Sequence, residues 1–77
     1  MSATVREAFN DYKEQGNILD CNVININLYK KSKRIEVSLE SNIQIDLEET
    51  YVFENYLKHK FDVEKAITYV KIVGALR

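Results

Sequence analysis

The side chains with intrinsic chemistry are few: one histidine, one cysteine and a run of basic residues between two apolar arms. His59 sits between Lys58 and Lys60. A general base needs an orienting partner and an enclosed site, and flanking ammonium groups supply neither, so His59 reads as a solvated surface residue. Cys21 follows Asp20 and belongs to no CxxC pair, which makes it an inert, partly buried small hydrophobe rather than a nucleophile. Glu48 and Glu49 stand at the expected start of a helix, where the helix dipole stabilises negative charge, and this accounts for them without acid-base catalysis. No His/Cys cluster has zinc spacing and no Asp-rich loop has calcium spacing. With glycine only at positions 16 and 74, no Gly-rich loop can cradle a phosphate, and neither metal nor cofactor is expected.

The basic run is the one local concentration of charge. Tyr29, Lys30, Lys31, Lys33 and Arg34 are the candidate contacts for a partner or a nucleic acid: the cations would meet phosphates and the tyrosine ring would stack on a base. A solvated hairpin tip needs the same residues for solubility. Lys plus Arg number 11 against 12 Asp plus Glu, a formal net charge of −1, so no whole-domain field draws in nucleic acid or anionic lipid. Glu36 and Glu40 lie close by in sequence. Nucleic-acid binding is therefore expected to be weak. The longest apolar stretches fall far short of the roughly 20 residues that span a bilayer. No membrane segment is expected, and a lone cysteine fits a reducing cytoplasm.

These residues are held by a short set of elements. Ile24, Ile26 and Leu28 alternate with Asn25 and Asn27, and Ile35, Val37 and Leu39 alternate with Glu36, Ser38 and Glu40. Both arms predict half-buried strands, from about Cys21 to Tyr29 and from about Arg34 to Glu40, joined as an antiparallel hairpin. The opposite face would carry Val23, Asn25, Asn27, Tyr29, Glu36 and Ser38. Before the hairpin, Val5, Ala8, Phe9 and Tyr12 follow helical spacing, predicting a helix from about Ala3 to Gln15, capped by Ser2 and stopped at Gly16-Asn17. After it, Ile43, Ile45 and Leu47 predict an extended passage over the core. Asp46 and Glu49 form a capping-box-like start to a second helix, from about Leu47 to Lys60, whose buried stripe is Val52, Phe53, Tyr56, Leu57 and Phe61. Residues 65–73 are rich in β-branched types and end at Gly74, which favours a strand, although Val63, Ile67 and Val70 also fit a helical spacing. Tyr12 and Tyr56 fall on core faces of helices, and Tyr29 and Tyr69 stand on strands as candidate exposed anchors. The fold class is α+β, in the order α-β-β-α-β: a three-stranded mixed sheet with two helices on one face and the other face open. Its 77 residues make a single small domain.

From Ile26 to Val37 the sequence reads Ile-Asn-Leu-Tyr-Lys-Lys-Ser-Lys-Arg-Ile-Glu-Val, followed by Leu39 and a helix pattern of Phe53-Glu54, Leu57 and Phe61. This combination, spread over about Ile18 to Val70, resembles the N-terminal domain of the PolC-type DNA polymerase III alpha subunit, a replicative polymerase that carries its own proofreading exonuclease. The resemblance implies a fold similar to a type II KH domain and a non-catalytic docking role in DNA replication, with a replisome protein such as the clamp-loader tau subunit as partner. No catalytic carboxylate of the parent enzyme carries over, because its exonuclease and polymerase modules are not represented here. The chain lacks the GxxG loop of a nucleic-acid-binding KH domain. Ending at Arg77, soon after the third strand, it looks like an N-terminal domain cut from a longer polymerase.

Overall fold

A computed structural model describes residues 3–73. Its centre is the strand β2 (Arg34–Ser41), in which Ile35, Val37 and Leu39 are fully buried and alternate with half-exposed polar residues. On one side it pairs antiparallel with β1 (Asn22–Tyr29). On the other it pairs parallel with β3 (Lys65–Ile72), from Arg34 opposite Lys65 to Ser41 opposite Ile72. The sheet order is β1-β2-β3. The β-branched content of residues 65–72 has prevailed over the competing helical spacing.

The crossover between β2 and β3 is the helix α2 (Leu47–Phe61). Phe53 and Leu57 are fully buried beneath it, with Tyr56 and Phe61 packed at the margin of the core. Asp46 is its N-cap, but no capping box forms and the Asp46 side chain makes no cap hydrogen bond. Glu49 instead turns outward from the helix start, where its Oε1 accepts a 3.0 Å bond from the Ile18 amide. Of the apolar residues leading into α2, only Ile45 is buried; Ile43 and Leu47 face solvent, so the extended passage over the core is shorter than the alternation predicts.

The first helix differs most from expectation. α1 is a single turn, Val5–Ala8, rather than a helix running to Gln15. Thr4 caps it through a complete capping box with Glu7; Ser2, the expected cap, lies outside the described residues, as does Gly74. Backbone bonding turns at Phe9, where the Tyr12 amide bonds the Phe9 carbonyl. The physical reason is aromatic packing. Phe9 meets Phe53 edge to face at 5.3 Å, and Tyr12 lies 5.3 Å from Phe53 and 4.8 Å from Tyr56. The early turn seats both rings on α2 at once. Gly16, at φ 151°, then starts a 3-10 turn (Asn17–Asp20) that buries Ile18 and Leu19.

The strand β1 corrects the predicted faces. A register irregularity between Val23 and Asn25 shifts the alternation by one residue. Val23 therefore packs toward the core instead of standing on the outer face, and Ile24 is left exposed. Beyond the bulge, Ile26 pairs with Val37 and Leu28 with Ile35, so both point to the helical side of the sheet. They remain 41% and 40% exposed.

Candidate functional site

The hairpin tip presents the predicted basic residues together. Tyr29, Lys30, Lys31 and Lys33 are exposed, and Arg34 is half-buried at the base of the turn. The tip is pinned to the start of β3, because the Lys33 carbonyl accepts from the amides of Glu64, at 2.9 Å, and Lys65, at 3.1 Å. Lys33 adopts a left-handed backbone with φ 53° to make this possible. The pairing also adds Lys65 beside Arg34, a contribution that sequence separation conceals. Arg34 already has partners. Its Nε lies 3.2 Å from Glu36 Oε2, an ion pair without the alignment of a hydrogen bond, and its guanidinium covers the Tyr29 ring at 4.7 Å. One face of Tyr29 is thus occupied from within the domain.

On the helical side of the tip, Leu28, Phe61 and Val63 floor a shallow cleft of about 190 Å³, rimmed by Lys30, Lys33 and Asp62. On the open side, Asn25 pairs with Ser38 and Ser38 with Tyr69, which leaves Tyr69 as an exposed aromatic on a polar sheet face. The helix α2 adds two prominent apolar side chains that no buried stripe required, Leu47 at 86% exposure and Tyr51 at 63%.

Cys21 and His59 lie on separate elements, the first just before β1 and the second in α2. Cys21 is buried, and burial pushes its thiol above the ordinary range. His59 is exposed in the last turn of α2 between Lys58 and Lys60, where a helix C-terminus favours cations. The most closely knit polar group is Asp11 with Tyr56 and Lys60. The Tyr56 hydroxyl donates to Asp11 Oδ1, and Lys60 Nζ donates to Oδ2 at 3.0 Å. These bonds hold the Asp11 carboxyl below its ordinary range, while burial and then the Asp11 contact raise the Tyr56 hydroxyl. This group fastens the segment after α1 to α2. No group of His, Cys, Asp or Glu among the described residues could hold a metal ion. No helix among them is long and apolar enough to cross a membrane.

The family model described as DNA polymerase III polC-type N-terminus I matches residues 7–72. No curated protein and no solved structure matches the chain.

Proposed function

The chain belongs to the family of PolC-type DNA polymerase III N-terminal domains, and from that premise we propose that it is a non-catalytic docking module of a replicative polymerase. It joins the polymerase to another protein of the cytoplasmic replisome, and the clamp-loader tau subunit is the partner to test first. The observation that carries this reading is the exposure of large apolar side chains on regular elements: Ile24, Ile26 and Leu28 on β1, Leu47 and Tyr51 on α2. Apolar side chains grouped on rigid elements are what protein partners cover. The α-β-β-α-β order, with one sheet face open, supports the likeness to a type II KH fold. Purified tau should bind the immobilised 77-residue chain at micromolar concentration or below. If tau and the other clamp-loader and primosome proteins all fail to bind at about 100 μM, a range where even weak specific complexes form, the docking reading is overturned.

A second reading, single-stranded nucleic-acid binding, is favoured by one feature: Lys65 lies in register with Arg34 and extends the basic tip. The pairing of Arg34 with Glu36 and its position over Tyr29 weigh against it, since they use up one cation and one stacking face.

A further inference from the structure

We infer that the outer edge of β1 accepts an extended, acid-ended segment of a partner protein as a fourth strand, an inference that rests on the docking reading. Among the described residues the N-terminal segment pairs with the beginning of this edge: the Val23 amide bonds the Ala3 carbonyl, the Val5 amide bonds the Cys21 carbonyl, and Thr4 bridges Asn22. From Ile24 to Tyr29 nothing among the described residues pairs with the outer side of β1. Because Val23 points its amide outward, the alternation carried past the bulge turns the backbones of Ile26 and Leu28 outward too. Those amides and carbonyls form a free template for strand addition, the arrangement that proteins usually blunt unless a partner uses it.

The side chains along this edge say what the partner is. The cleft beside it is floored by Leu28, Phe61 and Val63, so alternate side chains of the added strand that face it should be apolar. Lys30 and Lys33 rim the cleft against the single carboxylate of Asp62, and Lys31 stands at the same tip. The local excess of positive charge requires an acidic residue at the strand end beside the hairpin. On the outer side of β3 the Thr68 amide is already taken, because Glu54 Oε2 accepts from it at 2.9 Å. The two edges of the sheet are therefore unequal. The domain's own helix takes an amide in the middle of β3, whereas among the described residues the later half of β1 is unpaired on its outer side.

The test uses two labelled nonapeptides, Asp-Glu-Val-Thr-Ile-Thr-Val-Asp-Glu and its counterpart with lysine at all four acidic positions. The acidic peptide should bind at least tenfold tighter, and at saturation it should slow hydrogen exchange at the Ile26 and Leu28 amides at least tenfold. In the variant Lys30→Glu, Lys33→Glu the preference between the peptides should reverse. Equal binding of both peptides, protection elsewhere on the domain, or displacement of the acidic peptide by oligothymidylate at physiological salt would overturn the inference. So would a sedimenting dimer that protects these amides without peptide, since it would assign the edge to a second copy. If the acidic peptide fails to bind while purified tau is still captured, the β1 edge is not the site and the docking reading survives. If both fail, both fall.

Discussion

Gly16 carries a constraint that other residue types meet only with strain. A Cβ placed there would lie 2.5 Å from Glu49 Oε1, the oxygen that accepts from the Ile18 amide, and the backbone φ of 151° is itself one that L side chains rarely adopt. Gly16→Ala should destabilise the domain by about 1 to 3 kcal/mol, through backbone strain and loss of the Glu49 contact. A urea midpoint equal to the wild type would show that the loop relaxes freely. Titration gives a second expectation. Burial raises the Cys21 thiol above its ordinary 9.0, and burial with the Asp11 contact raises the Tyr56 hydroxyl above its ordinary 10.0. Both groups are neutral when protonated, so the fold binds more protons than the unfolded chain above these values, and stability falls as pH rises. Urea midpoints should be level through neutral pH, decline from about pH 9 and decline further above pH 10, following those two ordinary values. Cys21→Ala should remove the first part of that decline. Asp11 works in the opposite sense: its lowered carboxyl stabilises the fold above the ordinary 3.8, and that contribution is lost as pH falls through the folded value.

The helix α2 is the element on which the others converge. It covers β2 and β3, holds Phe9 and Tyr12 against its aromatic residues, and reaches the 3-10 turn through Glu49. Leu57 is fully buried one turn after Phe53. Leu57→Ala should destabilise the domain by about 2 to 5 kcal/mol, because close packing of strand and helix allows little collapse into the space. In a chain this short that approaches complete unfolding, and circular dichroism at 37 °C should register it. An unchanged melting temperature would mean that α2 buries a different face.

For the whole molecule, the decisive quantity is how charge is distributed over so small a surface. The net charge of −1 is spread over both signs, and the hairpin tip with Lys65 is locally positive. If Lys30, Lys31, Lys33 and Arg34 each neutralised a phosphate, affinity for single-stranded DNA would fall with salt at a slope of about −3, roughly −0.7 for each contact. The expected outcome is weaker: millimolar binding at physiological salt, and a Gln variant at all four positions that folds normally. Titration of a labelled oligonucleotide at two salt concentrations decides this. Micromolar, steeply salt-dependent binding that vanishes in the Gln variant would replace docking by nucleic-acid binding as the function.

The sequence by itself pointed to the order α-β-β-α-β, the antiparallel hairpin, a third strand in a mixed sheet, and the bounds of α2 to within a residue. These depend on local periodicity, because the alternation of apolar residues and their three-to-four spacing are written in adjacent positions. The resemblance carried by the hairpin and α2 likewise led to the family whose sequence model spans residues 7–72. What only the tertiary structure decided involves residues far apart. The helical spacing of Val5, Phe9 and Tyr12 was visible, yet α1 stops after one turn because two rings must reach α2 together. The bulge beside Val23 is one residue long, too small to disturb a pattern, but it reverses which side chains face the core. The Lys30–Lys33 turn was legible as a charge cluster, whereas its pinning to β3, the arrival of Lys65 and the Leu28–Phe61–Val63 cleft depend on the crossover through α2. Half-exposure of Ile26 and Leu28 follows from the same geometry. Their alternation marks them as core residues, but α2 is seated over β2 and β3 and leaves the outer half of β1 uncovered.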